Sequence, residues 1–553
     1  MKHFFFLAIG LLSLPLQAQN KVFTKEDTLR GSLTPQRTWW DLTYYHLNVH
    51  VKPEEKFISG NVAIHYKVIE PKQEMQIDLQ PPLAIEKITQ DGDALEFVRK
   101  GANAYFVTLK KIQKTGSNES VTVQYGGNPV EAKRPPWQGG FQWTKDKEGN
   151  AFAATSCQGL GSSVWWPCKD HMYDEPDSVL ISITVPKNLM DVSNGRLRST
   201  MENADGTKTF NWFVRNPINN YGVNANIANY THFADTLHGL KGTLDLNYYV
   251  LPENLEKAKE QFKQAKLMLK AFEYWFGPYP FYEDGYKLVE VPYLGMEHQS
   301  SVTYGNKYQN GYLGRDLSRT GWGLKWDFII VHESGHEWFA NNITYKDMAD
   351  MWIHEGFTNY SESLFTEFYY GKEAATEYVV GTRRGIHNDR PIIGIYNVNE
   401  GGSGDMYPKS GNMLHTIRHS INDDQLFREI LRGLNKTFYH QTVTTQQIEN
   451  YISDKAKINF SKVFDQYLRT TQIPSLEYYF DNNKVYYRWT NCIKGFNLQL
   501  ILTDGKTRIK PTEKWQSTKL KDAKQFDPAN VEKMYYVKPV GVEKSATSVA
   551  PNK

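Results

Sequence analysis

Residues 328–339 read Phe-Ile-Ile-Val-His-Glu-Ser-Gly-His-Glu-Trp-Phe, an apolar run leading into His332-Glu333-Ser334-Gly335-His336. No other stretch limits the fold so tightly. Histidines four residues apart share a face only if the segment is helical, and then both imidazoles can reach one metal ion. Glu333 projects about 100° away around the same helix, close enough to reach a water at the metal without being a ligand. Two imidazoles leave Zn²⁺ one protein ligand short of a three-ligand hydrolytic site. Glu355, in Trp352-Ile353-His354-Glu355-Gly356-Phe357, follows His336 by 19 positions. That interval lets the first helix end and a second return antiparallel, bringing a carboxylate over the same ion. His₂Glu with one open position, and one zinc per chain, is the expected metal site. The adjacent His354 points elsewhere on a helix and is read as a supporting residue.

Around this motif the hydrophobic period changes twice. From about residue 40 to 250 it is two: Val62, Ile64, Tyr66 and Val68 form one run, Val121, Val123 and Tyr125 another, and Leu244, Leu246, Tyr248 and Val250 a third. Such alternation predicts half-buried strands in a large antiparallel β domain. After Pro252 the apolar residues Leu255, Ala258, Phe262, Ala265, Leu269, Phe272 and Phe276 fall three and four apart, the stripe of one helix stopped by Gly277-Pro278. Helical texture continues to about 470, and short alternating runs resume at Leu476. At 553 residues the chain has length for three to four structural units. The reading is a multidomain α+β protein: an N-terminal antiparallel β-sheet domain over 19–250, a mainly helical catalytic domain over 251–474, a small β module over 475–541 and a disordered tail over 542–553.

The first 18 residues carry a basic start, an apolar stretch too short to span a bilayer and a small residue, Ala18, at a cleavage point. Export to the periplasm or the medium is expected, with no membrane span in the mature chain. Lys+Arg 64 against Asp+Glu 61 gives a formal charge of +3, too little for a field that gathers nucleic acid. Three cysteines are too few for a disulfide framework, although Cys157 and Cys168 could pair in an oxidising compartment.

HExxH, 18 intervening residues, then Glu within WxxEGFxxYxE resembles the aminopeptidase N family of zinc metallopeptidases, which includes the leukotriene-hydrolase branch. Leu294-Gly295-Met296-Glu297-His298 resembles that family's Gly-x-Met-Glu-Asn signature, and Tyr407-Pro408-Lys409-Ser410-Gly411 its Tyr-x-Lys-Gly segment. Thr155-Ser156-Cys157-Gln158-Gly159 resembles the stretch that supplies a substrate-facing Gln or Glu. The resemblance runs from about 38 to 475. It implies a thermolysin-like catalytic domain, with peptides bearing a free N-terminus as substrates. It implies His332, His336 and Glu355 as zinc ligands and Glu333 as general base and then acid. Tyr407 would stabilise the oxyanion. Glu297 would pair with the substrate ammonium, Gln158 would add a neutral hydrogen-bond acceptor, and Gly295 and Met296 would line the cleft.

Two positions depart from the pattern. His298 replaces the usual Asn, introducing a titratable ring beside the substrate, and Leu294 replaces the usual Gly. Three alternatives to the aminopeptidase leave different marks. A zinc endopeptidase would cleave N-blocked peptides. A non-catalytic peptide-binding relative would be expected to have lost at least one of His332, Glu333, His336, Glu355, Glu297 and Tyr407. An epoxide hydrolase of the leukotriene branch carries a tyrosine five residues before Tyr-x-Lys, where this chain has Gly402.

Overall fold

The computed structural model describes residues 22–544. The expected leader at 1–18 and residues 545–553 of the expected tail lie outside the described residues. Residues 542–544 do not continue as a free tail: the Val542 N–H donates to the Tyr478 carbonyl (2.9 Å) and Lys544 pairs with Asp481 (2.7 Å).

The N-terminal unit is built on an eight-stranded sheet. At its centre β1 (Trp40–Lys52) runs antiparallel to β2 (Phe57–Val68). Val62, Ile64, Tyr66 and Val68 are all buried on one face, as period two requires. The sheet is not purely antiparallel, because β1 pairs in parallel with β3 (Ser178–Pro186) on its other side. Trp39, Trp40, Trp165 and Trp166 fill the core beneath it. Cys157 and Cys168 are buried there as free thiols, so the pairing considered from the sequence is not made.

The domain boundary expected at 250 shifts towards residue 230. Strands β4 (Thr231–Gly239) and β5 (Gly242–Val250) form a hairpin that pairs in parallel with β6 (Tyr286–Glu290), and the sheet continues through β8 (Val302–Tyr304) to the edge strand β7 (Gly295–Met296). Alternation identifies Leu244–Val250 as a strand but carries no information about which sheet receives it. This five-stranded sheet has two buried faces. Leu244, Leu246, Tyr248 and Leu288 meet the helices, while Tyr249, Val289 and Val291 pack on the N-terminal core. The predicted single helix over 255–276 is interrupted at Phe262, giving Leu255–Gln261 and α1 (Lys263–Phe276).

Three helices frame the site: α2 (Phe328–Gly335), α3 (Trp352–Tyr370) and α4 (Pro408–Ile421). Asp327 caps α2, its Oδ1 accepting from the N–H groups of Ile329 (3.0 Å) and Ile330 (3.3 Å). Its Oδ2 accepts from Tyr304 of β8 (2.7 Å), which fastens the start of the helix to the sheet. Such a cap contributes about 1 kcal/mol. Small residues let the helices cross closely: a Cβ on Gly335 would lie 2.7 Å from Ser361 Oγ in α3, and one on Gly356 would lie 2.5 Å from Ser410 Cβ in α4. After His336 the chain kinks at Phe339 and Ala340 and passes through a short strand, Ile343–Tyr345, before α3 begins.

The C-terminal segment forms a four-stranded sheet around the hairpin of Ser475–Asp481 and Lys484–Thr490. Its buried residues Leu476, Val485 and Trp489 belong to the same core as the catalytic helices, so it extends that core. Among the described residues no helix is long and apolar enough to cross a membrane.

Candidate active site

His332, in the last turn of α2, and His336, just beyond it, keep helical spacing because His336 retains φ −65° and ψ −18°. Glu355 sits in the first turn of α3. Its Oε2 lies 3.7 Å from His332 Nε2 and 3.3 Å from His336 Nε2. Ligands about 2.1 Å from a tetrahedral ion stand about 3.4 Å apart, so these three atoms fit one zinc. Glu355 Oε2 is also buried without a hydrogen-bond donor, as a carboxylate oxygen reserved for a cation would be. Burial pushes the Glu355 carboxyl up, but the adjacent His336 and His332 hold it well below the usual range. Burial opposes protonation of His332, yet the neighbouring Glu355 and Glu362 carboxylates raise its pKa, a sign of the negative potential that a dication would neutralise.

Each histidine is oriented through its other nitrogen. His332 Nδ1 lies 2.8 Å from Glu362 Oε1, and Glu362 Oε2 accepts from the Tyr378 hydroxyl (2.7 Å). His336 Nδ1 lies 3.0 Å from the Phe339 carbonyl and 3.0 Å from Thr358 Oγ1. A carboxylate and a carbonyl only accept, so both protons belong on Nδ1 and both Nε2 lone pairs face the metal position. Glu362 and Thr358 had no assigned role in the sequence reading. The signal was present, since Thr358 and Glu362 follow Glu355 by three and seven positions on one face of α3.

Glu333 is half-buried at the floor of a cleft of about 370 Å³. Burial raises its carboxyl to about 7, against the downward pull of His332 and with added repulsion from Glu297. Donor atoms of Glu297, Glu333 and His336 all lie within 4.8 Å of one another. Glu297 is buried and follows β7. Its Oε1 accepts from Gln158 Nε2 (2.7 Å) and from the Tyr221 hydroxyl (3.0 Å), and its carbonyl accepts from Asn341 Nδ2 (2.9 Å). Gln158 also donates to Glu355 Oε1 (3.0 Å), so it enters the site as a donor joining two carboxylates rather than as the expected acceptor.

Tyr407, just before α4, lays its ring against His332, with centroids 6.0 Å apart. Burial and the nearby Glu355 and Glu297 carboxylates raise its pKa well above 10, leaving the phenol protonated and able to donate. Lys409 turns away and donates to the Thr470 carbonyl (2.8 Å).

Two expectations about the Leu294–His298 segment are corrected. Leu294, Gly295 and Glu297 line the cleft, but the Met296 side chain does not; it is buried in the N-terminal core, because neighbouring residues of an edge strand face opposite ways. Gly295 is needed for packing: a Cβ there would lie 2.6 Å from Ile329 Cγ2 of α2. His298 adds no charge beside the substrate. It is fully buried, with Nδ1 3.2 Å from Thr303 Oγ1, and burial lowers its pKa to about 3. His354, also buried, directs neither nitrogen at the metal position: Nε2 accepts from the Tyr345 N–H (3.0 Å).

Two protein-family models match the chain, the Peptidase M1 N-terminal domain over residues 42–221 and the Peptidase family M1 domain over residues 260–467. Leukotriene A-4 hydrolase of Xenopus laevis is 21% identical over 471 residues, 80% of this chain and 73% of that protein. Endoplasmic reticulum aminopeptidase 1 of Mus musculus is 22% identical over 59% of this chain and 36% of its own length. Puromycin-sensitive aminopeptidase of Caenorhabditis elegans is 22% identical over 78% of this chain and 47% of its own length. The chain thus spans less than half of these two longer relatives. Among solved structures, the M1 zinc metallopeptidase of Deinococcus radiodurans superposes with a TM-score of 0.66 at 21% identity, covering 79% of this chain and 95% of that one. A mutant form of it has been solved with a Tyr-Ser-Ala substrate.

Proposed function

The chain belongs to the M1 family of peptidases, and from that premise we propose that it is an exported zinc aminopeptidase, releasing residues from the free N-terminus of peptides. The observation that carries this reading is the Glu297 carboxylate, buried and held by hydrogen bonds, with a donor atom within 4.8 Å of one on His336. A fixed acid beside the metal ligands suits a substrate ammonium one residue from the scissile bond, and an N-blocked peptide offers it no cation.

His332, His336 and Glu355 would hold the zinc. When bound, the metal supplies a Lewis acid that polarises the scissile carbonyl and acidifies water. Glu333 takes the proton of the attacking water and passes it to the leaving amine nitrogen, a role worth about 10²–10⁴-fold in rate. Tyr407, whose ring lies beside that of His332, donates its phenolic hydrogen to the developing oxyanion. Glu297 holds the ammonium and so sets which carbonyl reaches the metal position.

An epoxide hydrolase of the leukotriene type has no room for its tyrosine here. A Cβ on Gly402 would lie 1.7 Å from the Ile392 carbonyl oxygen. Export rests on the basic, apolar and small-residue pattern of 1–18, and N-terminal sequencing of mature protein beginning at Gln19 would support it.

The deciding experiment is a panel of aminoacyl-arylamides assayed with and without a zinc chelator, alongside N-acetylated copies. Free-amine substrates should be hydrolysed, chelation should stop this, and the acetylated copies should remain intact. Comparable turnover of acetylated substrates would replace this reading with an endopeptidase.

A further inference from the structure

Glu297 is one end of a buried chain of hydrogen bonds that crosses from the N-terminal unit to α3. His354 Nε2 accepts from the Tyr345 backbone N–H (3.0 Å). A backbone N–H can only donate, so this nitrogen carries the lone pair and Nδ1 of the neutral ring carries the proton. Nδ1 lies 3.4 Å from the Tyr221 hydroxyl oxygen, and that hydroxyl is 3.0 Å from Glu297 Oε1. Every link therefore points one way: Tyr345 N–H to His354, His354 Nδ1–H to Tyr221, Tyr221 O–H to Glu297. Tyr221 and His354 are buried, and only Glu297, the end of the chain, opens onto the cleft.

We propose that Tyr221 and His354 are positioning residues for the amine anchor, acting as a relay that fixes the Glu297 carboxylate relative to the zinc ligand Glu355. This rests on the aminopeptidase reading. Both side-chain donors to Glu297, Tyr221 and Gln158, fall on Oε1, which leaves Oε2 for the ammonium. His354 and Glu355 are consecutive in the first turn of α3, so one helical turn orients both the metal ligand and, through Tyr221, the anchor. The separation between ammonium and metal is thereby set by a rigid element, and that separation decides which peptide bond is cut.

The relay specifies a variant pair. In His354→Asn the side-chain nitrogen stands where Nδ1 stood and still donates to Tyr221. In His354→Gln the amide reaches the Nε2 position, keeps the Tyr345 contact and loses Tyr221. Tyr221→Phe removes the hydroxyl alone. Zinc-loaded full-length protein and each variant would be titrated calorimetrically with leucine hydroxamate and with 4-methylpentanohydroxamate, which lacks only the amine, and zinc content would be measured in parallel.

Tyr221→Phe and His354→Gln should weaken leucine hydroxamate on the order of tenfold while leaving the des-amino ligand and the zinc content unchanged, and His354→Asn should bind both ligands as wild type does. Equal weakening of both ligands, or loss of zinc, would reduce the pair to a structural role and overturn the proposal. Unchanged amine selectivity in Tyr221→Phe and His354→Gln would overturn the relay alone. A wild-type protein indifferent to the amine would overturn the anchor reading and the relay with it.

Discussion

The metal triad and the amine anchor are neighbours, with donor atoms within 4.8 Å, yet they are assembled in opposite ways. All three proposed zinc ligands come from one short stretch, 332–355, on two helices whose crossing is held close by Gly335. Glu297 instead depends on Gln158 and Tyr221 from the N-terminal unit and on Asn341 from the kink after α2. On the proposed reading, the chemistry of bond cleavage is built within one unit, and recognition of the chain end is built across the seam between two. Perturbing the helices should damage metal binding or rate, whereas perturbing the seam should damage selectivity for the free amine.

The largest effect should come from Glu333→Gln, which removes the proton acceptor and no ligand. Turnover should fall about 10²–10⁴-fold with zinc content unchanged, measured by arylamide hydrolysis and atomic absorption. Zinc loss in this variant would contradict the role given to Glu333. Next is Glu362→Ala, which leaves His332 Nδ1 without its acceptor at 2.8 Å. Zinc affinity should fall about 10–100-fold in competition with a chelator, because the imidazole loses both its orientation and part of its basicity. Unaltered affinity would mean that helix packing alone orients the ring.

The same contrast explains what could be read from the amino-acid sequence. His332, His336 and Glu355 were legible because helical periodicity converts spacing directly into a shared face, and the interval before Glu355 leaves room for one turn of chain. The strand carrying Val62, Ile64, Tyr66 and Val68 was legible for the same reason with period two. Where an element goes next was not. Leu244–Val250 reads as a strand in either unit, and its pairing with Tyr286–Glu290 is fixed by contacts some forty residues away. Met296 was misplaced because a motif names a residue without naming the face of the strand it occupies. Tyr221 left no local trace: its hydroxyl matters only because folding sets it 3.0 Å from a carboxylate 76 residues further along.

Gly356→Ala tests the helical side at smaller cost. An added methyl would sit 2.5 Å from Ser410 Cβ, an atom held at the backbone of α4 rather than at the end of a flexible side chain. Overpacking of this kind costs about 1–3 kcal/mol, and the better helix propensity of Ala returns up to about 1 kcal/mol. A net destabilisation of about 1 kcal/mol is expected in urea unfolding, and it should be relieved by the second substitution Ser410→Gly. Failure of that rescue would show that the α3–α4 crossing is not the strained contact.

A pH titration probes the seam itself. Lys287 lies on β6 but is buried against the N-terminal unit, its Nζ donating to the Gly195 carbonyl and lying 5.4 Å from the Trp212 ring centroid. Burial lowers its pKa from 10.5 to about 7, with Asp284 pulling the other way. Between about pH 7 and 10.5 the unfolded chain therefore holds a proton at this site that the folded protein has released. Stability from Lys287 must rise with pH through that window, by at most about 1.4 kcal/mol per pH unit, and be flat below it, where both states are protonated. Lys287→Met keeps the length of the side chain and removes the proton. The stability difference between wild type and variant, from urea unfolding at pH 6 to 10, should shift towards wild type as pH rises above 7. A difference that stays constant would mean Lys287 remains charged in the seam, and the junction carrying the amine anchor would be more polar than its packing indicates.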